Sequence, residues 1–177
     1  MFHLIYCWAF MELLSQEYNK KIAKIGVLLT ERNERVSTAE SCTGGLISAA
    51  FTQQAGASAW YFGSIIAYDN SIKHNILGVS SDILQKYGAV SKECVEKMLI
   101  GAQKMLATEW AVAVSGIAGP SGATPDKPIG TVFVGISHKG EILEVSHNQF
   151  SGNRSEICLQ SVQKAVDMLL IRLEINR

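Results

Sequence analysis

The chain has 177 residues, 47% of them hydrophobic and 18% charged, with 16 basic and 16 acidic side chains. That length suits one domain burying roughly two-thirds of its unfolded surface around a single core. A formal net charge of zero, with no basic stripe, argues against nucleic-acid or acidic-membrane partners and leaves room for a small, locally charged ligand.

The apolar run from Met1 to Leu14 is broken by His3 and Glu12 and is shorter than the ~20 residues of a membrane-spanning helix. It also lacks a basic leading region and a small-residue cleavage site. Residues 1–12 therefore read as an N-terminal extension outside the core, and 13–177 as one domain. From Leu13 to about Arg32 the apolar positions Leu13, Leu14, Ile22, Ile25, Val27, Leu28 and Leu29 recur near helical spacing, as in a helix lying on a sheet. Arg35–Ala39 follows as a first strand. Glu40, Ser41, Cys42 and Thr43 then form a polar turn, and Gly44-Gly45 opens a helix to about Gln54.

Residues 55–62 read as a loop whose aromatics are core packing before ligand stacking. Ser64–Tyr68 is a short strand, and Asp69 or Asn70 caps a helix through Lys73 to about Leu77. Ser80 or Ser81 caps another helix, and Ser91 a longer one reaching Ala107. Trp110–Ser115 is apolar throughout, as expected for a central strand covered on both faces. The long loop Ser115–Gly130 holds all three prolines, and its place after a central strand favours a functional role. Thr131–Ser137 and Ile142–Phe150 form an antiparallel edge hairpin, and Ser155 to about Ile175 is a closing helix. The fold class is α/β: one three-layer α/β/α domain on a mixed, mostly parallel sheet.

If the strands ending near Ser41, Tyr68 and Ser115 are parallel neighbours, right-handed crossovers bring their ends to one rim. That rim gathers the Ser41 and Tyr68 hydroxyls, the Lys73 amine, the glycine-rich amides of Cys42, Thr43, Gly44 and Gly45, and Arg154. No acid–histidine pair serves Ser41, because His74 has no orienting carboxylate. A neutral lysine can replace histidine as the base of a serine nucleophile. Desolvation, a nearby Arg154 or the positive end of its helix would each favour a neutral Lys73. Tyr68 would then relay a proton or hold the lysine in line, and the amides from Cys42 to Gly45 are candidates for an oxyanion hole. The four cysteines (Cys7, Cys42, Cys94, Cys158) form no C-x-x-C pair and read as reduced thiols of a cytoplasmic protein. Neither they nor any His/Asp/Glu cluster has metal-ligand spacing.

The motifs TAESCTGG (38–45), AYDNSIK (67–73), LGV (77–79), YGAVS (87–91), SGIAGPSGATPDKPIGTV (115–132) and SGNR (151–154) stand in this order. The chain from about residue 13 onward thereby resembles the CinA C-terminal domain family. The resemblance implies a nicotinamide mononucleotide deamidase, which hydrolyses the carboxamide of that nucleotide to nicotinic acid mononucleotide and ammonia in bacterial pyridine-nucleotide recycling. It implies Ser41 as nucleophile with Tyr68 and Lys73 beside it, Arg154 on the substrate phosphate, and Ser115-Gly116 as the polar turn of the site. It further implies a small-molecule nucleotide substrate, no metal or cofactor, and a homodimer. Under this reading the pyridine ring would lie against residues 55–62. Two rivals remain: Cys42 as the attacking thiolate, and a catalytically silent nucleotide-binding or scaffold domain.

Overall fold

The computed structural model describes residues 16–175. The expected extension over residues 1–12 and the first turn of the expected opening helix lie outside this range.

The described chain runs α1 (Gln16–Glu31), β1 (Val36–Glu40), α2 (Leu46–Thr52), a 3₁₀ turn (Ala57–Ala59), β2 (Tyr61–Ile66), α3 (Asn70–Asn75), α4 (Ser81–Lys86), α5 (Lys92–Leu106), β3 (Trp110–Gly116), β4 (Thr131–His138), β5 (Glu141–Gln149) and α6 (Arg154–Ile175). The sheet order is β2-β1-β3-β4-β5. β1 pairs in parallel with both β2 and β3, and only β4 opposes the other strands. The mixed sheet and antiparallel edge hairpin expected from the sequence are therefore present. Lys139 and Gly140, the two residues of the hairpin loop, both have positive φ, as a type I′ turn requires.

Strand alternation sorts the core into two layers. Trp110, Val112 and Val114 of β3 face α1 and α6, packing with Ile25, Leu29, Val162, Val166 and Leu169. Ala111 and Ala113 face α5, packing with Val95, Met98, Leu99 and Ala102. Small strand residues let α5 sit close, and at Gly135 a Cβ would come 2.8 Å from the side chains of both Leu99 and Val95. Val27 lies off the buried stripe of α1 and is exposed.

The largest difference from the sequence reading concerns β2, which begins at Tyr61 rather than Ser64 and ends at Ile66. Trp60 and Tyr61 are buried and make edge-on contacts with Phe51. Within the loop expected over residues 55–62, Trp60 and Tyr61 are thus core packing, as their sequence context suggested. Tyr61 pairs with Val36 at the start of β1, whereas Ser41 follows its other end. At roughly 3.3 Å per strand residue, that loop lies a strand's length from Ser41, so it does not provide the ring platform expected of it. Among the described residues no helix is long and apolar enough to cross a membrane.

Candidate active site

The parallel strands β2, β1 and β3 end together, and hydrogen bonds continue just beyond them. Ser41 donates its N–H to the Val114 carbonyl at 3.0 Å, and Ala67 donates to the Glu40 carbonyl at 2.7 Å. Ser41 thus stands between the ends of two neighbouring strands, where a topological switch opens a crevice.

Lys73 reaches this point from α3, whose N-cap Asp69 accepts the Ser71 N–H at 2.8 Å. The lysine is 1% exposed. Its Nζ lies 3.1 Å from Ser41 Oγ, 2.7 Å from the Ala67 carbonyl and 3.1 Å from the Tyr68 carbonyl. No carboxylate forms an ion pair with it among the described residues. Burial therefore dominates and lowers the lysine pKa from its ordinary value, with only weaker opposing influences from Cys94, Asp69 and Cys42. A neutral amine has two N–H donors and one lone pair. With the two carbonyls accepting the donors, the lone pair is left for the Ser41 hydroxyl. Of the three influences considered from sequence, desolvation is the principal one.

Glu40 is the feature that sequence reasoning underweighted. It is the last residue of β1, and its side chain is fully buried. Oε2 accepts from Thr43 Oγ1 at 2.7 Å and from the amides of Gly45 and Ile47 at 3.0 and 3.1 Å. Oε1 accepts from the Ser48 amide at 2.8 Å. Gly45, the N-cap of α2, supplies no side-chain cap, so Glu40 caps that helix from five residues upstream. The turn also needs glycine: φ is +60° at Gly44 and +105° at Gly45. Gly44 donates to the Ser41 carbonyl at 3.1 Å. The Gly44 and Gly45 amides are thus engaged within the turn, leaving those of Cys42 and Thr43 as the available pair among the four considered.

Around Ser41 and Lys73 lies a cavity of about 200 Å³, also lined by Cys42, Tyr68, Ser115, Gly116 and Arg154. A second cavity, of about 320 Å³, shares Cys42, Tyr68 and Arg154 and adds Thr43, Gly44, Leu46, Ser155 and Cys158. All ten expected site residues therefore line one of the two cavities or, for Gly45, cap the helix between strand and site. A larger cavity of about 490 Å³ lies between α1 and residues 54–60. It contains none of these residues.

Two other side chains of the expected site line the cavity and are hydrogen-bonded away from Ser41 and Lys73. The Tyr68 hydroxyl lies 3.3 Å from Arg154 Nη2, and it is the Tyr68 carbonyl that accepts from Lys73. Ser115 donates to the Ala89 carbonyl at 2.7 Å, tying the segment before α5 to the end of β3. Arg154 is the first residue of α6, one position earlier than expected. Asn153 caps that helix through Ser155 and Glu156, and Glu156 accepts the Asn153 N–H in return, forming a capping box. Arg154 Nη1 also donates to the Gly119 carbonyl at 2.8 Å, which ties the long loop to the site.

Cys42 is buried, and burial pushes its thiol pKa up to about 12. That weakens the thiolate rival, since the thiolate is the reactive form. His74 engages the Val79 carbonyl through Nδ1 at 2.8 Å, and no group of His, Cys, Asp and Glu among the described residues has the arrangement of a metal site.

The family model of the CinA C-terminal domain matches residues 18–173. A CinA-like protein of Prochlorococcus marinus is 45% identical over 148 residues, covering 82% of this chain and 35% of that protein. The CinA-like protein of Thermotoga maritima is 44% identical over 142 residues, covering 80% of this chain and 34% of that protein. The chain spans about a third of the length of these curated relatives. Among solved structures, the competence/damage inducible protein of Agrobacterium tumefaciens matches with a TM-score of 0.84 at 38% identity, covering 89% of this chain and 95% of that one. Competence damage-inducible protein A of Klebsiella pneumoniae subsp. pneumoniae matches with a TM-score of 0.85 at 32% identity, covering 89% and 97%. On the family model, these relatives and the shared fold, the chain belongs to the CinA C-terminal domain family.

Proposed function

We propose that this protein is an amidohydrolase that converts nicotinamide mononucleotide to nicotinic acid mononucleotide and ammonia, with Ser41 as nucleophile and Lys73 as general base. The observation that carries this reading is the buried Lys73 amine, held by two carbonyls and 3.1 Å from Ser41 Oγ with no carboxylate partner among the described residues.

In the proposed reaction Lys73 Nζ takes the Ser41 hydroxyl proton as Oγ attacks the carboxamide carbon. The carbonyl oxygen becomes an oxyanion facing the Cys42 and Thr43 amides, each donor of this kind being worth about 2.7–4 kcal/mol in related sites. The carbon–nitrogen bond then breaks, Lys73 returns the proton to the leaving nitrogen, and ammonia departs. Water attacks the acyl-serine ester, with Lys73 accepting its proton, and Ser41 is restored as the acid leaves. Arg154 supplies charge-assisted hydrogen bonds to the phosphate. The two adjoining cavities give the rest of the nucleotide room beyond the reacting amide, and Tyr68 steadies Arg154 where they meet. The same reading makes the protein a cytoplasmic, metal-independent homodimer in the pyridine nucleotide cycle.

The test is ammonia release from nicotinamide mononucleotide in the presence of a chelator, with Ser41→Ala and Lys73→Ala beside the parent. Release by the parent that both substitutions abolish, with folding intact, supports the reading. Nucleotide binding without release would instead identify a binding domain.

A further inference from the structure

We infer that Glu40 is the positioning residue of the nucleophile turn: its buried carboxylate occupies the amino end of α2 and thereby fixes Ser41 and the two free amides that follow it. This rests on the proposed role of Ser41.

The geometry begins with strand alternation. Ala39 belongs to the core layer beneath α5, whereas Val36, two positions before Thr38, belongs to the opposite layer. Thr38 and Glu40 therefore face α2, and Ser41 turns toward Lys73. The two side chains do not meet, so any coupling passes through the backbone. Glu40 closes the six-residue span to Gly45 through its bond to the Gly45 amide, and it grips the middle of the span through Thr43 Oγ1. The Ser41 carbonyl receives the Gly44 amide inside the same span. None of these bonds uses the Ser41 hydroxyl, which remains directed to Lys73.

Glu40 also determines which backbone donors are left for a ligand. A helix amino terminus ordinarily offers several free N–H groups. Here those of Gly45, Ile47 and Ser48 are all taken by one side chain. An anion is therefore not received at α2, and the developing oxyanion is limited to the turn beside Ser41. Thr38 Oγ1 lies 3.3 Å from Oε1 and 3.0 Å from the Tyr61 hydroxyl, which anchors the carboxylate from the strand side.

The experiment uses an alkyl fluorophosphonate, which reports the serine nucleophile without depending on the identity of the natural amide. Ser41 Oγ attacks phosphorus, a P–O bond forms as the P–F bond breaks, fluoride leaves, and the serine proton passes to Lys73. Glu40→Gln keeps the shape but replaces one acceptor oxygen with an NH₂ that faces donors. Folded Glu40→Gln is expected to label about 100-fold more slowly, the scale of a misplaced reacting group. The pH midpoint of labelling, governed by Lys73, should stay where it is in the parent. Thr43→Val removes one donor and leaves the three amides, so a loss of about 3–10-fold is expected, in line with one hydrogen bond.

Labelling of folded Glu40→Gln at the parental rate would overturn the inference while leaving the Ser41 nucleophile standing. If Glu40→Gln does not fold, Thr43→Val decides, and a parental rate there overturns it. A well-folded parent that is never labelled would remove the Ser41 reading and this inference together.

Discussion

Two charged residue types are buried at the carboxyl end of the sheet, and they are solvated in opposite ways. Glu40, with no exposed surface, receives four hydrogen bonds of 3.1 Å or less from neutral donors. Lys73, 1% exposed, has two carbonyls and one hydroxyl around its nitrogen. The first set matches an acceptor-only carboxylate and locks a turn. The second set suits the neutral amine as well as the ammonium, and burial favours the neutral form. A buried ionisable group is thus structural where its neighbours saturate it, and a candidate for chemistry where they leave a lone pair aimed at a nucleophile.

Exchanging each group for an apolar one should have the largest effects, and opposite ones. Lys73→Met is expected to lower amidase activity by at least about 10³-fold, within the range for loss of a general base. Because a desolvated amine is replaced by a well-packed side chain, urea denaturation should show stability unchanged or raised by up to about 2 kcal/mol. Glu40→Leu should do the reverse to the fold. It strands three amides and a hydroxyl, and a loss of about 3 kcal/mol is expected in the same measurement. Equal stability effects from the two substitutions would erase the distinction.

Arg154→Ala tests the outer wall of the site. A rise in KM of about 10–100-fold with kcat changed less than about fivefold is the pattern expected if Arg154 holds the substrate phosphate as proposed.

The pH dependence sharpens the contrast further. The folded-state pKa of Lys73 lies below its ordinary 10.5, so between those values this side chain binds more protons in the unfolded state than in the folded one. The Lys73 contribution to stability therefore rises with pH across that window and is most unfavourable below the folded value. Activity should rise with pH to a plateau as the amine becomes neutral. The buried thiols of Cys42, Cys94 and Cys158, whose pKa values burial raises, contribute a slope of opposite sign to both proteins. The Lys73 contribution is therefore the difference between parent and Lys73→Met from about pH 7 to 10, with the parent rising relative to the variant. The smallest effect belongs to Cys42→Ala, with activity within about threefold of the parent, because a thiol pushed up to about 12 contributes little thiolate at neutral pH.

The local patterns in the chain were sufficient for much of the fold. Asp69, Ser80 and Ser91 cap the helices that their positions suggest. The apolar run at Trp110 becomes the central strand, and the loop at Lys139-Gly140 closes the edge hairpin. The ordered motifs around Ser41, Lys73, Ser115 and Arg154 also marked the residues that meet around the cavity. At residues 55–62 the aromatics pack into the core as their pattern suggested, but the strand boundary was misplaced. There the aromatic contacts with Phe51 begin β2 three residues early and carry the loop away from Ser41.

Element order, the glycine-dependent turn and the residue types assembled there follow from short-range pattern, because caps, periodicity and positive-φ positions are encoded within a few residues of one another. How those residues are used depends on packing in three dimensions. Strand alternation sends Glu40 to α2 and Ser41 to Lys73, and burial strips Lys73 of water. Three-dimensional packing also gives the Tyr68 hydroxyl to Arg154 rather than to the lysine. Glu40 finds its four closest donors within eight positions, whereas Lys73 meets Ser41 across 32 positions and Arg154 meets Tyr68 across 86. The meeting of these last two pairs is fixed by sheet register and helix docking, which no short stretch contains.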